Sequence, residues 1–382
     1  MNTIKIYDNW PYDTDFFARI TAIDGNTITL DRTLFFPEEG GQTCDHGVIR
    51  CNGNEYRVTD VQIKDDVIYH TLKSTDGSLN IGDEIEGHID WAHRFDNMQN
   101  HTGEHIFSGL VHLLKGYDNV GFSLTENTCQ MDYNGKLTDD EITQIEAQAN
   151  EVIWNAIPVD CRYPSAEELA TIDYRSKKEL TGPVRIVTIP DVDICACCAP
   201  HVRTTAEVGL LKVISHLNYK GGTRLYIACG KRAFTDYVQT FGSLTDIGHL
   251  FSTGRPDALG AVKKLISSDQ ELRTRLADSE RDELMKQIDD NDTGVILTQI
   301  TDRNILTAAF NHLKETHDGA CYIFSEKNDG GYTFLAGGRD IDARELMPAL
   351  KELGARGGGK ADMVQGSINA TADRIMAVIS PT

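Results

Sequence analysis

The 382-residue sequence has no apolar run approaching the ~20 residues that cross a bilayer, so no helical membrane span is expected. Its opening, MNTIKIYDNWPYDTDF, lacks the charged start, apolar block and small-residue cleavage site of a secretory signal, and a cytoplasmic location is the default expectation. Positive charge is scarce. Lys and Arg number 37 against 58 Asp and Glu, a formal net charge of −21, whereas nonspecific nucleic-acid binding needs a basic surface. Any nucleic-acid partner must therefore rest on a local basic face. Low-complexity tracts and internal repeats are absent. The nine cysteines are odd in number and irregularly spaced, which excludes a disulfide framework. Three of them crowd into CACC (195–198), a density that points to metal or redox chemistry.

The patterning that is present reads as an α+β chain. Residues 1–90 are β-rich: ITAIDGNTITLDRTLFF is strand, Asp-Gly turn and strand, and VIRCNGNEYRVTDVQIKDDVIYHTL adds three short runs with turns at NGNE and KDD. A small barrel or curled sheet is expected. Residues 91–240 form an α+β domain. There DNMQNHTGEHIFSGLVHLLKG carries Ile106, Leu110, Leu113 and Leu114 at helical spacing and stops at Gly116. TDDE (138–141) is a capping box before the stripe Ile142, Ile145, Ala149, Val152 and Ile153, and SAEE (165–168) opens a short helix. VRIVTI, GLLKVI and RLYIACG read as strands. A helical spacer is expected over 241–290, mostly one charged amphipathic segment from 255. The last part, 291–382, reads as a small α/β domain with helices at 303–316, 341–353 and 371–378 and a glycine loop before the last.

In NHTGEHIFSG (100–109), His101 and His105 are four apart on a helix. Such a pair stacks on one face with Cβ atoms ~5–6 Å apart and can share a zinc ion. Their face is offset from the apolar stripe, while His112 lies two turns on, ~10 Å away, too far for the same ion. Further along, CCAPHV sets Cys197 and His201 four apart around Pro200, a turn. His101, His105, Cys197 and His201 make a plausible tetrahedral zinc set, with Cys195 and Cys198 as alternates for the thiolate. The zinc-protease motif does not apply, because Thr102 stands where Glu must follow the first His. A redox Cys195–Cys198 pair is the competing reading, although no helix begins after it as that motif requires.

HTGEH followed by CCAPH resembles the His-x3-His and Cys-x3-His pair of alanyl-tRNA synthetase editing domains, and more closely their free-standing AlaX-type relatives. The resemblance continues in IYDNWPYDTDFFARI, in LDRTLFFPEEGGQTCDHG (30–47) and in HVRTTAEVG (201–209), and so covers residues 1 to about 230. ARGGGKADMVQGS (355–367) resembles the glycine-rich signature of the synthetase C-terminal domain. This disposes of the phosphate-loop reading of GARGGGKA, in which Ala361 also stands where Ser or Thr should hold magnesium. Nucleotide and ATP binding come with the synthetase resemblance as an expectation; nucleotide hydrolysis does not.

The resemblance implies a zinc-dependent hydrolase acting in trans on alanine tRNA mischarged with serine or glycine, with no aminoacylation domain ahead of the barrel. It implies Thr33 as the group that recognises serine's hydroxyl, Gln42 and Glu104 as further catalytic residues, and Gly40, Gly41, Asp45 and Thr205 as substrate-binding residues. The bland alternatives are a strand-end role for Thr33, a pure turn for the glycines, and a supporting or surface role for Glu104 and Asp45. The C-terminal domain would grip tRNA or pair with a second copy, with Arg339, Arg344, Lys351, Arg356 and Lys360 as its basic face. In one departure, NVGFSLTEN offers Phe122 and Ser123 where synthetase editing domains often show Gln. A zinc-stabilised RNA-binding protein without hydrolysis is the alternative function.

Overall fold

Two-residue turns set the register of the first strands. Asn52–Gly53 and Asp65–Asp66 each carry positive φ at both positions, 50° and 79°, then 50° and 57°, the twist that suits a tight hairpin. In the computed structural model, which describes residues 2–75, 78–176, 183–328 and 330–379, these turns belong to a closed six-stranded barrel. Its strands in spatial order are Asp15–Asp24, Thr27–Leu30, Val67–Leu72, Asn54–Lys64, Gly47–Cys51 and Glu84–Ile89. Alternation drives the closure: Phe16, Ala18 and Ile20 point inward between exposed Asp15, Phe17 and Arg19. Closure also leaves no unpaired strand edge.

The helix Trp91–Lys115 follows, capped by Asp90, whose side chain accepts from His93 N, and ended by Gly116 at φ 67°. The expected apolar stripe is corrected at its end. Met98, Ile106, Phe107, Leu110 and Val111 are buried, whereas Leu113 and Leu114 are exposed in the last turn. The helix is buried nearly all round through Val111, polar residues included, so its apolar period understates its burial. Glycine permits this. A Cβ at Gly103 would lie 2.3 Å from Cys229 Sγ, and one at Gly109 would lie 2.3 Å from the Val192 carbonyl.

Around it lie a four-stranded antiparallel sheet, in the order Leu211–Tyr219, Gly222–Cys229, Cys129–Tyr133 and Asn119–Leu124, and a three-stranded one, Asp160–Arg162, Ile186–Ile189 and Asp193–Ala196. The helix Asp139–Trp154 carries the capping box of Thr138 and Glu141 and buries Ile142, Ile145, Ala149 and Ile153. A helix over Gly230–Leu250 starts about ten residues ahead of the expected spacer, over 231–240, where the sequence reading has no element.

The chain divides into two compact units, Met1–Ser243 and Leu244–Thr382. The second contains the helix Arg255–Asp289 and a five-stranded sheet in the order Val295–Thr298, Ala320–Glu326, Tyr332–Gly338, Met363–Ile368 and Arg356–Lys360. Its expected glycine loop is instead a β-hairpin. Gly357, Gly359 and Gly366 lie in paired strands, where a Cβ would fall 2.2–2.3 Å from a carbonyl of the neighbouring strand. The helix expected at 341–353 is a 3-10 turn, Ala343–Leu346, running into the helix Met347–Glu352. Among the described residues no helix is long and apolar enough to cross a membrane.

Candidate metal centre

Two segments bring four potential metal donors together. The buried helix supplies His101 and His105, and the segment after the strand Asp193–Ala196 supplies Cys197 and His201. One donor atom from each lies within 4.8 Å of the others. Cys197 Sγ is 3.5 Å from His101 Nε2 and 3.4 Å from His201 Nε2. Adjacent corners of a tetrahedral zinc site with nitrogen and sulfur ligands are about 3.6 Å apart, so the set fits that ion.

The far side of each imidazole is held. His101 Nδ1 meets Gln42 Oε1 at 2.7 Å, His105 Nδ1 meets Asp193 Oδ2 at 2.8 Å, and His201 Nδ1 meets Thr102 Oγ1 at 3.0 Å. Partners of this kind fix the ring orientation and leave Nε2 to face the centre. Arg175 Nε in turn donates to Asp193 Oδ1 at 2.7 Å. The electrostatics follow the same lines. Burial alone would push the Cys197 thiol up, but the His101 and His201 rings and hydrogen bonds from His101 and His105 hold it well below the ordinary thiol range. Burial takes His201 down to about 3, the neutral form. Burial also opposes the charged form of His105, and the Asp193 hydrogen bond overrides it to raise that ring well above its usual value.

A cavity of about 560 Å³ opens beside the cluster, lined on one side by His101, His105 and Cys197 and on another by Glu39, Gly40 and Gly41. That volume is in the range of small-ligand sites. Gly40 and Gly41 are the two residues of a tight turn, with φ 64° and 87° and Glu39 paired to Gln42 across it. A Cβ on Gly41 would stand 2.6 Å from the Phe122 carbonyl, and the Phe122 ring lies 4.7 Å from that of His101. The turn thus needs glycine and also forms part of the cavity wall.

Other expected residues have their hydrogen bonds taken by the protein itself and do not line this cavity. Thr33 is fully buried in the barrel, with Oγ1 2.9 Å from His70 Nε2 and accepting from Phe35 N at 3.0 Å. Asp45, also fully buried, accepts from Arg94 Nε at 3.0 Å and from Phe36 N at 2.6 Å. Thr205 donates to the Val152 carbonyl at 2.7 Å and accepts from Ile157 N at 2.9 Å. Glu104 accepts from Ser108 Oγ at 2.7 Å and Asn119 Nδ2 at 2.6 Å, and its Oε2 lies 3.9 Å from His105 Nε2. Cys195 is buried and lines the cavity, as does Cys198, which lies next to Glu39.

Several residues of the site were not singled out from the sequence: Thr102, Asp193, Arg175 and Arg94. Arg94 also donates to the carbonyls of Pro11 at 2.9 Å and Leu34 at 2.6 Å, tying the start of the chain and the segment 34–45 to the histidine helix. Only its place seven residues before His101, about two turns along the same helix, could have drawn attention to it.

Residues 3–93 match the family of class II (A) tRNA synthetases, 184–226 the threonyl and alanyl tRNA synthetase second additional domain, and 291–380 the DHHA1 domain. The chain is 28% identical over 98% of its length to an alanyl-tRNA editing protein, AlaX-L, of Pyrococcus horikoshii, of which it covers 96%. It is 30% identical over 94% of its length to an alanine–tRNA ligase of Hyperthermus butylicus and 27% identical over its full length to one of Sulfurisphaera tokodaii. It spans 41% and 44% of those two ligases, under half of each. In sequence the chain therefore resembles, nearly end to end, a free-standing alanyl-tRNA editing protein of the long AlaX form, and it shares the second additional and DHHA1 domains of the alanine–tRNA ligases.

Proposed function

We propose that this chain hydrolyses the ester of alanine tRNA mischarged with serine or glycine and spares alanyl-tRNA. The observation that carries the reading is a buried His3Cys donor set that opens on a cavity, in a chain similar throughout to an editing protein. His101, His105, Cys197 and His201 would hold zinc, which supplies Lewis-acid charge when bound. In the reaction a water oxygen adds to the ester carbonyl carbon, and the ribose oxygen leaves with a proton. Gln42 and Asp193 orient the histidines, and Gly40 and Gly41 let the backbone approach the aminoacyl group. Glu39, on the cavity wall, has the charge to receive the substrate's α-ammonium group. We assign Thr33, Asp45 and Glu104 supporting roles, in line with their burial and partners.

Cytoplasmic action and a tRNA-gripping or dimerising role for the C-terminal unit belong to the same proposal. Arg339, Arg344, Lys351, Arg356 and Lys360 are all exposed there, although Arg344 is paired with Asp342. One feature favours the alternative of a non-hydrolytic RNA-binding protein: four protein ligands close a zinc shell, as in structural sites. Incubating the purified protein with Ser-, Gly- and Ala-charged alanine tRNA separates the two. Hydrolysis of the first or second with the third intact is the expected result; tRNA binding with all three esters intact would favour the alternative.

A further inference from the structure

Two cationic side chains, Lys5 and Arg185, line the cavity beside the metal donors. Arg185 precedes the strand Ile186–Ile189 and lines the cavity with Lys5, Tyr163 and Val184, while His101, His105 and Cys197 line it elsewhere. Arg185 is 5% exposed. Its Nη1 donates to the carbonyls of Cys197 at 3.1 Å and Ala199 at 2.8 Å, and its own carbonyl accepts from Cys197 N at 3.1 Å. The other edge of the guanidinium is uncommitted. Nε is buried with no hydrogen-bond partner, and no described residue accepts from Nη2. No carboxylate among the described residues pairs with it; the acidic neighbour Asp8 is engaged by the Tyr163 hydroxyl at 3.0 Å.

A buried donor without an acceptor is costly, which selects for an acceptor brought by a ligand. The Nε–Nη2 edge is the fork that receives a planar or tetrahedral oxyanion through two parallel hydrogen bonds. Resting on the hydrolase reading above, we propose that this edge of Arg185, with Lys5, whose Nζ lies 3.8 Å from Asp66 Oδ1, as a second cation, binds the phosphodiester immediately 5′ of the terminal nucleoside of the charged RNA. The chemistry of the substrate leaves no nearer anion for it. Next to the scissile ester the amino acid is cationic, and the ribose and base are neutral, so that phosphodiester is the nearest negative charge. Binding there would hold the terminal nucleotide beside the metal donors. It also accounts for a buried cationic fork in a protein of net charge −21.

The test uses a seryl-charged minihelix of the alanine-tRNA acceptor stem, made with an ordinary terminal phosphodiester or with a neutral methylphosphonate in its place. For the full-length wild-type protein, kcat/KM is expected to be about ten- to a hundredfold higher on the ordinary minihelix, the worth of a charge-assisted pair. In Arg185→Gln that ratio should fall toward one, and in Arg185→Lys, which keeps the charge but not the fork, to an intermediate value. The ratio separates ligand binding from the other role of Arg185 in bracing Cys197 and Ala199, because structural damage slows both substrates alike. A wild-type ratio near one, or a high ratio retained in Arg185→Gln, overturns the proposal while leaving the hydrolase reading intact. If the wild-type protein hydrolyses neither minihelix nor their glycyl-charged counterparts, the hydrolase reading itself fails, and this proposal with it.

Discussion

Gln42 meets the histidine helix through a single contact, Oε1 accepting from His101 Nδ1 at 2.7 Å. Replacing it with Leu should leave that imidazole unheld and lower zinc affinity about ten- to a hundredfold, while Gln42→Glu, which keeps an acceptor, should lose much less. Competition for zinc with a chromophoric chelator measures this; equal affinities for wild type and Gln42→Leu would remove Gln42 from the account. Arg94 and Asp45 form a fully buried ion pair with further bonds from Arg94 to two backbone carbonyls. Arg94→Ala strands the Asp45 charge and should cost about 3–5 kcal/mol in urea unfolding. A loss under 1 kcal/mol would mean that water reaches the pair. His70 supplies a pH dependence. Burial lowers it from 6.5 to about 4 in the folded protein, so between those values the unfolded chain binds a proton that the folded one refuses. Stability should be unaffected by this group above about pH 6.5 and should decline by roughly 3 kcal/mol as pH falls to about 4. Urea midpoints across that range should fall less steeply in His70→Gln; parallel curves would contradict the assignment.

Between segments, the turn at Gly40–Gly41 forms part of the cavity wall. Gly41→Ala would force a Cβ into the Phe122 carbonyl at positive φ, and about 1–3 kcal/mol of lost stability, read by chemical denaturation, is expected. An unchanged midpoint would show that the turn relaxes. This scale is also where the sequence is most and least legible. The capping boxes at Thr138 and Ser165, the stop at Gly116 and the hairpin turns of the barrel are local chemistry, and they are present as read. The glycine-rich hairpin was not legible as strand, because Arg356–Lys360 has almost no side chains to alternate and is fixed by its pairing with Met363–Ile368. The exposed end of the histidine helix was misread for a related reason. Periodicity says which residues share a face but not where along the axis the covering layers end. At the candidate site, the donor residues could be picked out because His-x3-His and Cys-x3-His spacings are local. Their supports, Asp193, Thr102 and Arg94, come from contacts 49 to 99 residues apart in the chain, which no local pattern encodes.

For the molecule as a whole, the four-donor cluster joins the histidine helix to the segment after residue 193, so zinc, if it binds there as proposed, should stabilise the fold in proportion to its affinity. Removing zinc with a chelator should lower the Tm of the wild-type protein and leave that of His101→Ala/His105→Ala unmoved; equal shifts would mean that the chelator acts elsewhere. Net charge also has a consequence at this scale. With −21 overall, RNA binding must depend on local cationic groups and weaken steeply with salt. The most direct test of the account compares the rate of seryl-tRNA deacylation by wild type and by His101→Ala/His105→Ala, with tRNA binding measured alongside on both. The account expects hydrolysis by the wild type alone, with alanyl-tRNA spared and binding similar in the two proteins. Equal hydrolysis by both would place the reaction away from the four-donor cluster and contradict the central claim.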